Sequence, residues 1–127
     1  MKKVLLVDDD VEFCEATKLL LESKGYEVLL AYDGKQGLEQ VRAERPDLVI
    51  LDVMMPEMNG YDVCVVLKAD PELKKLPVVL LTAVDRDLFK TTYTQAMGLM
   101  TEADDYIAKP VEPEELVKRV HALLNNM

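Results

Sequence analysis

The order of apolar and polar positions along the chain switches repeatedly between two periods. Apolar runs of roughly five residues read as buried strands, and longer segments with apolar positions every three or four residues read as amphipathic helices. "KVLLV" (Lys3–Val7) predicts the first strand. The following segment places Phe13, Ala16, Thr17, Leu20 and Leu21 on one helical stripe, and Gly25 predicts its C-cap. "YEVLLA" predicts a second strand; "DGKQGLEQVRAER" predicts a helix that Asp33 caps and Pro46 stops.

"DLVIL" predicts a third strand, nearly continuous in apolar character as expected when both faces are covered. Tyr61 to Lys68 predicts a short helix and "LPVVLL" a fourth strand. Between Arg86 and Thr101 a further helical stripe runs through Phe89, Tyr93, Ala96, Met97 and Met100. "DYIA" predicts a shorter fifth strand. The last helix begins at about Pro113, with Leu116, Val117, Val120, Leu123 and Leu124 facing inward.

Strand–helix alternation repeated five times implies an α/β fold: a doubly wound parallel sheet with helices on both faces and right-handed crossovers. The functional crevice of such a sheet lies beyond the carboxyl ends of its strands. Those ends are where the chemistry collects. Strand one ends in Asp8, Asp9 and Asp10, strand three in Asp52, strand four in Thr82 and Ala83, and strand five leads to Lys109 and Pro110.

Converging carboxylates raise one another's pKa unless a cation joins them. Mg²⁺ suits Asp8, Asp9 and Asp52, because it favours a few carboxylates together with water and phosphate oxygens. Asp10 reads instead as the N-cap of the first helix. Thr82 offers a hydroxyl and Lys109 a mobile cation, both suited to an oxyanion with several oxygens. Taken singly, Thr82 is an ordinary strand residue and Lys109 an ion-pair partner for Asp52; taken together at four strand ends, they are specific.

Composition narrows the function classes. The 127 residues fit one domain, residues 1–127, and half of them are hydrophobic, enough for a packed core. The net charge of −9 lacks the basic footprint of direct nucleic-acid binding. No apolar run reaches the ~18 residues of a membrane span, and the acids after "KVLLV" argue against a signal peptide, so a cytoplasmic protein with no membrane contact is expected. Cys14 and Cys64 fit reduced thiols. His121, the one histidine, has no neighbouring acidic motif and reads as an ordinary helical residue.

"LLVDDD", "DLVILDVMMPEMNG", "PVVLLTA" and "ADDYIAKP" resemble, in order and over essentially the whole chain, the response-regulator receiver domain of two-component signalling. The resemblance implies the flavodoxin-like (βα)5 sheet with strand order 2-1-3-4-5. It implies that Asp52 is the phospho-acceptor, followed by a turn at Pro56 and Gly60. Asp9 would be a direct Mg²⁺ ligand, Asp8 would hold the ion through water, and Asp52 and the backbone carbonyl of Met54 would complete the set. Thr82 and Lys109 would contact the phosphoryl oxygens, and Tyr106 would switch between exposed and buried as Thr82 moves. The Lys109–Pro110 bond is expected to be cis.

The implied partners are a sensor histidine kinase or histidine phosphotransfer protein and a downstream effector protein or output domain, with a phosphorylation-dependent dimer as a candidate assembly. The chain would be a signalling phospho-acceptor, not an enzyme beyond its own phosphorylation and dephosphorylation. A pseudo-receiver that only binds partners is the alternative. A haloacid-dehalogenase-type phosphatase would need an Asp where Met54 stands, and an FMN carrier a Ser/Thr/Gly-rich loop where "DDD" stands. The stretch between Thr82 and Lys109 is several residues longer than receivers usually have. Its apolar stripe predicts a helix about a turn longer than usual, with a contact surface peculiar to this protein.

Overall fold

The computed structural model describes residues 1–55, 57–83 and 103–125. The helix expected between Arg86 and Thr101, its extra turn, and Pro56 lie outside the described residues. Five parallel strands form one sheet in the order β2-β1-β3-β4-β5: β1 Lys3–Val7, β2 Glu27–Ala31, β3 Leu48–Asp52, β4 Val78–Ala83 and β5 Asp105–Lys109. The described helices are α1 Val11–Ser23, α2 Gly34–Glu44, α3 Gly60–Ala69 and α4 Pro113–Asn125. The doubly wound sheet is therefore the flavodoxin-like one that the alternation and the resemblance led to expect.

Strand alternation sorts the core into two layers, because successive side chains point to opposite faces. Leu5, Val7, Val49, Leu51, Val78 and Leu80 pack with Leu38 and Val41 of α2 and Val63 and Leu67 of α3. Val4, Leu6, Leu48, Ile50, Val79, Leu81 and Ile107 pack on the other face with Cys14 and Leu21 of α1 and Leu116, Val120 and Leu124 of α4. Most of these side chains are wholly buried, each worth about 1.5–3 kcal/mol relative to exposure.

The helix ends follow local chemistry. Asp10, Asp33 and Asn59 cap α1, α2 and α3, each side chain accepting from the amide three residues on. Two expectations need correction in detail. Ala16 is exposed; of the expected stripe Thr17 and Leu21 are buried and Phe13 and Leu20 half-buried, and Cys14 joins them in the core. Gly25 is not the cap itself. Lys24 is, and Gly25 follows it at φ +94°, where the missing Cβ matters.

Candidate functional site

Register and alternation together build the site. Val4 to Val7 of β1 pair with Leu48 to Leu51 of β3, so Asp8 and Asp52 come next, side by side. Both continue the alternation of Leu6 and Ile50 and so face the α1/α4 layer. Lys109 continues that of Ile107 on the same face. Two carboxylates and a lysine thus leave three strands at one end and on one side of the sheet.

Asp8 and Asp52 are buried, at 0% and 2% exposure, so neither charge is relieved by solvent. Lys109 donates to Asp8 Oδ2 at 2.8 Å and pairs with Asp52 Oδ1 at 3.4 Å. The exposed Asp9 joins them: Asp8, Asp9 and Asp52 each offer an oxygen within 4.8 Å of the others. Asp8 Oδ1 accepts from the Asp10 amide, and Asp52 Oδ1 from the Met54 amide. Phe13 of α1 lays its ring under the ammonium, with Lys109 Nζ 5.3 Å from the ring centroid.

The charges are not balanced. Burial pushes the Asp52 carboxyl up, the Asp8 charge pushes it further, and Lys109 offsets only part, leaving it at about 6. Burial alone would lower the Lys109 pKa, but its hydrogen bond to Asp8 and the charges of Asp52 and Asp8 outweigh that and raise it. Burial, followed by the charges of Asp8 and Asp10, pushes the Cys14 thiol to about 12. Cys14 is therefore a thiol donor to the Asp8 carbonyl, at 3.3 Å, rather than a nucleophile.

After Asp52 the chain turns sharply, and Gly60 shows why. A Cβ there would lie 2.5 Å from the Asp52 carbonyl oxygen, so only glycine lets α3 start against the end of β3. The Gly60 and Met55 amides both reach the Val53 carbonyl, and Glu57 takes φ +66° within the turn. The Met54 side chain is left exposed beside Asp52.

Thr82 and Tyr106 belong to the other alternation. Leu80 pairs with Tyr106 and Thr82 with Ala108, so both side chains share the α2/α3 side. Thr82 is half-buried, and among the described residues no hydrogen bond or ion pair joins it to the carboxylates. Tyr106 is 41% exposed. It is near enough to Tyr61 to add to the burial that raises the Tyr61 pKa. The Lys109–Pro110 bond is cis, as expected. His121 is exposed on α4, its Nδ1 between the Tyr26 hydroxyl and the Asn125 amide.

Phe13 and Cys14 are the two site residues that periodicity missed. Phe13 read as a core position, and no motif marks it as a partner of Lys109. Cys14 lies one turn beyond the Asp10 cap, so the cap predicts its nearness to Asp8 only once α1 is docked.

Known proteins resemble this chain in sequence and in fold. The sequence model of the response regulator receiver domain matches residues 4–121. The DNA-binding response regulator MtrA of Mycobacterium tuberculosis is 47% identical over 124 residues, covering 97% of this chain and 50% of the relative. The alkaline phosphatase synthesis transcriptional regulatory protein PhoP of Bacillus subtilis is 38% identical over 97% of this chain and 48% of its own length. The chain spans about half the length of these curated relatives.

Among solved structures, the signal receiver domain of a signal transduction histidine kinase from Syntrophus aciditrophicus superposes with a TM-score of 0.89. It is 35% identical, over 100% of this chain and 92% of that one. A CheY-like receiver domain protein from Methanospirillum hungatei gives 0.84 at 29% identity, over 99% and 95%. No described helix is long and apolar enough to cross a membrane. A matching sequence model over nearly the whole chain, on a sheet with strand order 2-1-3-4-5, leaves one conclusion: the chain belongs to the response regulator receiver domains of two-component signalling.

Proposed function

We propose that Asp52 accepts a phosphoryl group from the phosphohistidine of a sensor kinase or phosphotransfer protein. A carboxylate oxygen of Asp52 attacks phosphorus, the P–N bond to histidine breaks, and the released imidazole takes up a proton. What supports this reading is the placement of Asp52, buried at the end of β3 with Lys109 3.4 Å away and carboxylate oxygens of Asp8 and Asp9 within 4.8 Å. With its pKa at about 6, Asp52 is mainly ionised at neutral pH, as a nucleophile must be.

Three hard carboxylate oxygens that close together fit Mg²⁺, and among the described residues the buried Asp8 and Asp52 have one ammonium between them, that of Lys109. Asp8, Asp9, Asp52 and the Met54 carbonyl would hold the ion. When bound, it would offset charge on the transferring group. Lys109 would turn from Asp8 to a phosphoryl oxygen, and the Thr82 hydroxyl would meet another. That pull on Thr82 would bias Tyr106, its neighbour on the same face, between exposed and buried positions. Water attack at the same phosphorus would reverse the signal.

The readout would pass to an effector protein or output domain through the face around Tyr106, with a phosphorylation-dependent dimer as one form. The net charge of −9 favours a protein partner over direct nucleic-acid contact by this chain. The test is incubation with Mg²⁺ and a small phosphodonor, read by intact mass. The wild type should gain one phosphate and Asp52→Asn none. Undiminished Mg²⁺-dependent uptake by the Asn variant would overturn the assignment.

A further inference from the structure

We infer, on the reading of Asp52 as phospho-acceptor, that Phe13 is a positioning residue whose ring face holds the Lys109 ammonium beside the Asp8–Asp52 pair. Four contacts form a closed circuit. The Asp10 amide donates to Asp8 Oδ1 at 2.9 Å, and the Phe13 amide donates to Asp10 Oδ1 at 3.1 Å. The Phe13 ring lies 5.3 Å from Lys109 Nζ, and Lys109 returns to Asp8 Oδ2 at 2.8 Å. One carboxylate therefore binds the ammonium with one oxygen and, through the helix cap, sets the ring beneath it with the other.

A lysine on a four-carbon stem has many conformations, and the Lys109 side chain is 27% exposed, so water competes for it. A ring face attracts the charge without taking up any of its three N–H donors. The ammonium stays at the site while its hydrogen bonds remain free to pass from Asp8 to an incoming phosphoryl oxygen. An acidic side chain in place of Phe13 would hold the ammonium back. An aliphatic one would leave it to wander.

Phe13 is also partly buried against the α1/α4 core, so a packing role has to be separated from a positioning one. Phe13→Leu and Phe13→Met keep an apolar side chain without a ring; Phe13→Tyr restores the ring. Two instruments read the intact chain. Proton NMR of the Lys109 Cε methylene, with and without Mg²⁺ and with no phosphodonor, reports the ring-current shift. Intact mass reports the rate of phosphorylation by a small phosphodonor.

The Lys109 methylene should be shifted upfield in the wild type and Phe13→Tyr, and lose that shift in the Leu and Met variants. Their maximal phosphorylation rate should fall roughly three- to tenfold, the size of one partly desolvated cation–π contact, with rescue in Phe13→Tyr. Wild-type rates in the Leu and Met variants, or slower rates with Lys109 shifts unchanged, overturn the role of Phe13 and leave that of Asp52 standing. A wild-type chain that takes up no phosphate overturns both.

Discussion

At the N-terminal end of the sheet Asp47 and Asp104 perform the same task twice, and at the C-terminal end Asp8 and Asp52 do the reverse. Asp47 precedes β3: its amide donates to the Lys3 carbonyl and its carboxylate accepts from the Lys3 amide, both at 2.7 Å. Asp104 precedes β5 and repeats the pattern on Val78, with both bonds at 2.8 Å. Each acid thereby closes the free end of a neighbouring strand. Lys68 adds bonds to Asp104 and to the carbonyls of Lys74 and Leu76. Every charge there has a backbone or ionic partner and some exposure to water.

At the other end the two buried acids face one another, and one lysine serves both. The lesson is that an aspartate's neighbours, not its type, decide whether it binds strands together or stores repulsion. A carboxylate over backbone N–H groups is held by them. Asp8 and Asp52 each accept one amide as well, but beside one another they keep an unmet demand for positive charge, which a cation can answer.

The largest expected break in this contrast is at Lys109. Lys109→Met should slow phosphorylation by roughly a hundredfold, the usual loss when one preorganised charge contact to a developing oxyanion is removed. Asp104→Ala, at the opposite end, should stay within about threefold of wild type in the same mass-spectrometric assay. Equal losses in the two variants would mean that the ends of the sheet are not separate in function.

Stability should sort them the other way. Asp47→Ala and Asp104→Ala should each cost about 1–2 kcal/mol in urea unfolding, because each strands a strand-end amide. The double variant should lose about the sum, since the two pairs lie on different strands. Losses below about 0.3 kcal/mol would show that solvent satisfies those amides as well as the acids do.

The smallest effect has the opposite sign. In the folded protein Asp52 has a pKa raised from 3.8 to about 6. The folded state therefore binds more protons than the unfolded one between these values, and ionising Asp52 costs stability as pH rises through that window. Asp52→Asn, measured in a chelator, should match wild type near pH 4. Above pH 6 it should become more stable, by on the order of 1–2 kcal/mol. A destabilised Asn variant at pH 7.5 would mean that the ion pair with Lys109 outweighs burial and Asp8.

Much of this contrast was legible before folding. The strands stand out as apolar runs, because a strand covered on both faces leaves an unbroken hydrophobic signature. "LVILD" and "KVLLVD" each end in an acid, which is visible as a break in that signature. Ala16 misleads because alanine marks no face by itself; Cys14, small and apolar, lies about 200° round the helix on the buried side. The N-terminal staples leave no such mark in the sequence. Asp47 and Asp104 look like ordinary turn acids until β1 lies beside β3 and β4 beside β5.

The sequence by itself determined which residues could build strands and helices, and that their acids and lysine would gather at one end of a parallel sheet. Those are consequences of local periodicity and of chain direction, which a parallel sheet makes the same for every strand. Only the tertiary structure decided how the charges pair. Strand register put Asp8 beside Asp52, and the docking of α1 put Phe13 against the ammonium of a residue far along the chain. Burial then raised the Asp52 pKa, because an electrostatic energy depends on distance and solvent access, and neither exists until the strands have met.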